Sequence, residues 1–180
     1  MKPQLIILIS YGQFDADFLS SIATCITSEY QLPVVIEEKY IDLTNFYDPT
    51  RRQYDANKLL KEIDAISFFD SIKRIGLFRI DLFIPILTYI FGQAYLNGKA
   101  GIASLYRLKN ELYGLEPNDQ ILLERFRKVI IHELGHTFGL KHCHTPSCVM
   151  LSSTYMEDID QKDISMCPKC RAELAVTQNP

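Results

Sequence analysis

The densest chemistry of this 180-residue chain lies in one short run: all 4 histidines fall between His132 and His144, and every cysteine but Cys25 falls between Cys143 and Cys170. Packing alone does not bunch residues in this way. In His132-Glu133-Leu134-Gly135-His136 two imidazoles stand four residues apart, so a helix of about 3.6 residues per turn projects both toward one cation. Glu133 follows the first of them, where its carboxylate reaches water on the metal without becoming a ligand. Gly139 comes three residues after His136, where a left-handed turn that glycine tolerates best can end the helix. The chain can then double back and present His142 as a third ligand from outside the helix. Three protein ligands leave one tetrahedral position for water, the arrangement of catalytic zinc, whose bound water falls in pKa from about 15.7 to about 7. Glu133 can take that proton and pass it on.

Close-set cysteines in a reducing compartment hold metal more often than they form disulfides. The stretch HELGHTFGLKH matches every specified position of HExxHxxGxxH, the signature of metzincin metallopeptidases. With HCHTPSCVM and the later CPKC, the chain resembles the archaemetzincin (archaelysin) family, and IFGQAY and GIASLYRL are similar to its segment leading into a substrate-flanking edge strand. The resemblance covers most of the chain and implies an α+β zincin-like fold. It implies a catalytic zinc on His132, His136 and His142, Glu133 as general base, and Met150 as the Met-turn residue beneath the metal. It also implies a second Zn2+ on Cys143, Cys148, Cys167 and Cys170, giving two zinc ions per chain. A peptide or protein substrate follows, with aminopeptidase-like action on short peptides in some members.

Four thiolates close a tetrahedral shell at about 2.3 Å and leave no place for substrate, so such a site is structural. In small peptides structural zinc contributes roughly 10–16 kcal/mol, ample to order the tail from Leu140 to Pro180. Cys143 adjoins His142, so ordering the tail also orders the third imidazole and Met150, and the two sites are expected to be mechanically coupled. His144 matches no motif position and reads as a surface residue or one behind the ligands, and Lys141 brings a cation near the metal. Tyr106 and Tyr155 could each steady the charged oxygen of a tetrahedral intermediate, although packing is the plainer role for either.

The elements that position these groups are legible in outline. Leu5 to Ile9 reads as a buried strand, Asp15 or Asp17 as the cap of a helix to about Tyr30, and Val34 to Glu38 as a second strand. A helix over 55–64, a strand from Ile75 to Ile80, an irregular loop over 81–100 with room for a short strand, and a strand from Ile102 to Leu108 near a sheet edge follow. The longest helical pattern starts at Pro117 to Asp119, runs to about Phe138 and carries the first two histidines. This order predicts an α/β fold, a twisted mixed sheet with packed helices, as a single domain. Residues 1–139 would form an upper subdomain with the active-site helix and 140–180 a lower one with the Met-turn and the thiolate site. The resemblance implies that substrate lies extended along the strand near Ile102 to Leu108.

Composition sets the outer bounds. With 47% hydrophobic and 23% charged residues the chain is globular, and 19 basic against 22 acidic residues, with no basic stripe, argue against a nucleic-acid partner. No run is long enough for export or for a membrane span, which predicts a cytoplasmic protein without membrane or nucleic-acid partners, and a monomer is expected. A deaminase-like pattern fails because Glu133 directly follows His132 and Pro168 lies inside the CPKC pair. A single-metal ribonuclease lacks its basic track. A catalytically silent, zinc-stabilised binding module would explain the cysteines but neither Glu133 nor the turn at Gly139.

Overall fold

A computed structural model of the chain describes residues 5–68 and 72–178. β1 (Leu5–Tyr11) leads into α1 (Ala16–Tyr30), where the Asp15 carboxylate caps the helix by accepting from the Phe18 N–H at 3.0 Å. Next come β2 (Val34–Lys39), the short strands β3 (Tyr47–Asp48) and β4 (Gln53–Asp55), α2 (Ala56–Ala65) and β5 (Ile72–Phe78). Three short strands, β6 (Leu82–Ile84), β7 (Leu87–Ile90) and β8 (Gly92–Ala94), precede β9 (Ala100–Ser104). The helices α3 (Asp119–Thr137), α4 (Met156–Asp160) and α5 (Pro168–Gln178) complete the order. Pro168 opens α5 at a position where a missing N–H costs nothing.

The main sheet has the order β2-β1-β5-β9-β8, parallel throughout except for β8, which runs antiparallel to β9. Both of its faces are covered, which explains the unbroken apolar run of β1. Ile6 and Leu8 pack in one core with α1 and α3, while Ile7 and Ile9 pack in another with α2. Leu140, Val149, Met150, Ile159 and Leu174 from the C-terminal tail join the α1–α3 core. The Tyr30 hydroxyl donates to the Ile131 carbonyl at 2.6 Å, and Glu29 accepts from the Met166 N–H at 2.9 Å, tying α1 to α3 and to the tail. The mixed α/β class is therefore the observed one. Among the described residues no helix is long and apolar enough to cross a membrane.

Three sequence expectations need correction. Residues 81–100 hold three short strands instead of a loop with a single one: a second sheet of order β3-β4-β6-β7 takes two of them, and the Pro85-Ile86 turn falls between β6 and β7 instead of breaking either. The strand expected from Ile75 to Ile80 runs from Ile72 to Phe78, since the backbone from Ile72 to Arg74 already pairs with Leu5 to Ile7 of β1. The strand expected over Ile102 to Leu108 ends at Ser104, whose hydroxyl accepts from the Tyr106 N–H at 3.2 Å and turns the backbone into a 3-10 segment. That strand is also interior and wholly buried, so it cannot flank a substrate. The edge belongs to β8.

Candidate active site

The site begins with the way α3 ends. Asn118 caps its start by accepting from the Ile121 N–H at 2.9 Å. At its other end the Leu140 N–H reaches the Gly135 carbonyl at 3.0 Å and the Gly139 N–H reaches His136 at 2.9 Å, the paired bonds of a Schellman turn. Gly139 has φ of +93°, as the spacing required, and the reversal brings His142 back beside the helix. The ring centroid of His142 lies 5.3 Å from that of His132 and 5.0 Å from that of His136.

The donor atoms suit a divalent metal. The Nδ1 atoms of His132 and His136 face the Val149 and Leu140 carbonyls at 2.8 and 2.7 Å. A carbonyl only accepts, so each Nδ1 carries the proton and each Nε2 offers its lone pair to the cavity. Those two Nε2 atoms stand 3.0 Å apart, an unfavourable meeting of lone pairs unless a cation sits between them. Burial is the main reason that all three imidazoles are held below their usual pKa, which keeps them neutral and ready to ligate. One donor atom from each residue lies within 4.8 Å of the others.

Glu133 is buried beside this group against the edge strand. A Cβ on Gly92 of β8 would stand 2.7 Å from the Glu133 Cγ and 2.9 Å from its Oε1, so the carboxyl packs directly on the backbone of the strand. Desolvation pushes its pKa up to about 8, opposed by the positive charge of Lys162. Below the ligands Met150 is fully buried, and a Cβ on Gly135 would meet its Cε at 2.8 Å, so the absence of a side chain at Gly135 is what lets Met150 sit under α3.

The four cysteines make a second cluster, their Sγ atoms within 4.8 Å of one another. Cys143 and Cys167 are 3.8 Å apart, and Cys148 and Cys170 are 3.9 Å apart. Backbone N–H groups of Thr145 and Cys167 donate to the sulfurs of Cys143 and Cys148 at 3.3 Å each. A backbone hydrogen bond from Cys170 draws the Cys167 thiol down to about 6, whereas burial pushes the Cys148 and Cys170 thiols up. The Cys143 N–H donates to the Met150 carbonyl at 2.9 Å, so the cluster and the floor of the histidine site share one backbone bond.

A cleft of about 460 Å³ runs over the histidines between β8 and the loop before α4. A sequence profile of Peptidase family M54 matches residues 8–176. The chain belongs to Peptidase family M54. An archaemetzincin of Pyrococcus abyssi is 34% identical over 177 residues, covering 94% of each chain. The crystal structure of archaemetzincin from Methanopyrus kandleri superposes with a TM-score of 0.86 at 29% identity, covering 99% of this chain and 97% of that one. A zinc-dependent peptidase from Methanocorpusculum labreanum superposes with a TM-score of 0.84 at 29% identity, covering 94% and 99%. The M54 chain is a zinc metallopeptidase, and its substrate is a peptide or protein.

On this M54 chain the expected site residues fall into the two clusters just described, with Gly139 at the turn and Met150 below. His144 and Lys141 are exposed and belong to neither cluster. Tyr155 lines the cleft at its mouth, whereas Tyr106 does not border it and packs near Arg107. Sequence reasoning missed two features. Lys162 is only 6% exposed and borders the cleft, yet nothing in the run DIDQKD distinguishes it from a solvated lysine. The edge strand β8 was hidden in IFGQAY, where Gly92 was the available sign of a close backbone approach.

Proposed function

We propose that this M54 peptidase hydrolyses peptide bonds with His132, His136 and His142 as the catalytic zinc ligands and Glu133 as the general acid–base. The burial of the Glu133 carboxyl between β8 and three convergent imidazoles carries the reading. Zinc in that cradle supplies Lewis acidity, polarising the carbonyl under attack and acidifying water. Glu133 moves protons in both directions near neutral pH, because burial, offset in part by the charge of Lys162, lifts it to about 8. It takes a proton from the attacking water and returns one to the leaving amine.

Substrate lies extended along β8. The Ser104 N–H donates to the Phe91 carbonyl at 2.8 Å and the Tyr95 N–H to the Ala100 carbonyl at 3.1 Å, so odd-numbered residues of this strand face β9. By the alternation of an antiparallel ladder, the backbone groups of Gly92 and Ala94 face the cleft and can pair with a peptide. Met150 is the Met-turn residue, and Cys143, Cys148, Cys167 and Cys170 hold a second, structural zinc, which suits a reducing cytoplasm. Residues 1–139 and 140–180 then act as the upper and lower walls of the cleft. Cleavage near the amino terminus of short peptides is the finer expectation.

Digestion of a proteome-derived peptide library by wild type and Glu133→Gln at matched zinc content tests this. Turnover should fall by about 10²- to 10⁴-fold in the variant, and the positions of the cuts report exo- or endo-action. Equal products from both proteins would remove Glu133 from the chemistry.

A further inference from the structure

Lys162 lies outside both metal clusters, and the hydrolytic scheme uses it only as a charge near Glu133. It is buried at the cleft wall, and among the described residues its side chain makes one hydrogen bond, to the Val149 carbonyl at 3.3 Å. No carboxylate of the described residues comes within ion-pair distance. The acidic groups that act on it through space are Glu133, Asp158 and Cys148. Asp158 is already engaged, accepting from the Thr154 and Tyr155 N–H groups at 2.8 Å each. Glu133 is packed on β8. A buried ammonium with no contact anion is costly unless an anion arrives from outside.

Its place along the cleft follows from two contacts. The Lys162 N–H bonds to the Ile159 carbonyl at 3.3 Å, the same oxygen that accepts from the Lys128 ammonium at 3.1 Å. The Lys162 backbone is therefore anchored opposite the N-terminal half of α3, and its ammonium, on the Val149 carbonyl that the His132 Nδ1 also faces, stands on the His132 side of Glu133. β8 runs the other way, from Gly92 beside Glu133 to the loop where the Asn97 N–H meets the His136 carbonyl at 2.8 Å. A peptide added antiparallel to β8 directs the residues after the cut toward Lys162.

We propose that Lys162 makes the cleft selective for a substrate carboxylate just C-terminal to the scissile bond. Two sources supply that group: an Asp or Glu side chain in the position after the cut, or the free C-terminus of a substrate that ends within two residues of it. The inference rests on the hydrolytic reading above for its direction. It adds a specificity-determining residue to that reading.

The test compares zinc-loaded wild type, Lys162→Met and Lys162→Gln on peptides that differ only after the cut (Glu, Gln or Leu), each with free or amidated C-terminus. Wild type should favour Glu over Gln, or free acid over amide, by on the order of tenfold or more in kcat/KM, and both variants should bring that ratio close to one. Preference for Glu in amidated peptides identifies the side chain, and preference for the free acid in Leu peptides identifies the terminus. A wild-type ratio near one, or a ratio unchanged in both variants, overturns the proposal. Calorimetric binding of the product dipeptides Glu-Ala amide, Leu-Ala and Leu-Ala amide supplies a readout independent of turnover. If wild type cleaves nothing, the hydrolytic reading fails by itself. Calorimetry then decides this one: equal affinities for the three dipeptides overturn it, and tighter binding of either carboxylate, lost in Lys162→Met, supports it.

Discussion

At the scale of single residues, the site is built as much by missing atoms as by functional groups. Gly135 occupies a helix interior, where alanine would ordinarily be favoured by about 1 kcal/mol. Here an added Cβ would stand 2.8 Å from the Cε of a fully buried Met150, and overpacking of that kind costs about 1–3 kcal/mol. The second effect wins, because Met150 is fully buried in the core and has little free space to retreat into. Gly135→Ala is therefore expected to lower stability by about 1 kcal/mol net and to weaken zinc retention at the histidines. Denaturant midpoints and metal content measured on the same preparations check this. A variant more stable than wild type with undiminished zinc would show that Met150 has room to spare. The three histidines, Glu133 and Gly139 were readable from spacing because their chemistry depends on helical geometry. Gly135 was visible in the same motif, but what it avoids lies fifteen residues away and emerges only from packing.

At the scale of elements, the decisive strand is β8, three residues long and too short to show a periodicity of its own. Longer elements declared themselves: β1 through its apolar run, α1 through Asp15 and its buried stripe, α3 through its cap and apolar face. β9 was misread as the sheet edge because nothing local in a chain tells whether a strand is paired on one side or on both. A proline at Ser104 would remove the N–H that donates to Phe91 at 2.8 Å, and so would damage the sheet itself instead of reporting on substrate. Ala94→Pro is the informative change, since the lost N–H faces the cleft and edge strands tolerate proline. It should raise KM for extended peptides by on the order of tenfold, the worth of about one hydrogen bond, while leaving the thermal midpoint within a few degrees of wild type. An unchanged KM would place the substrate elsewhere in the cleft.

At the scale of the whole molecule, the two metal clusters are joined by short, buried connections. Cys143 follows His142 in sequence, its N–H bonds to the Met150 carbonyl at 2.9 Å, and Val149 supplies the carbonyl that orients His132 at 2.8 Å. The same tail reaches α3 through Asp160, whose carboxylate pairs with the buried Arg125 at 2.7 Å, and reaches α1 through the Arg171–Glu29 pair at 3.0 Å. Structural zinc contributes roughly 10–16 kcal/mol in small peptides, comparable to the whole stability of a domain at about 5–15 kcal/mol. Loss of the thiolate site should therefore propagate to the histidines, whereas loss of a histidine should not propagate back. Cys170→Ser is expected to abolish the thiolate zinc, strip amide-exchange protection from α5 and the 140–151 loop, and lower histidine-site zinc and peptide turnover by at least about tenfold. His142→Ala should lose only the catalytic ion and keep one zinc per chain with α5 protected. Metal analysis paired with hydrogen exchange separates these outcomes. Should Cys170→Ser retain one zinc and wild-type turnover, the tail would be a passive appendage and the buried connections would transmit nothing.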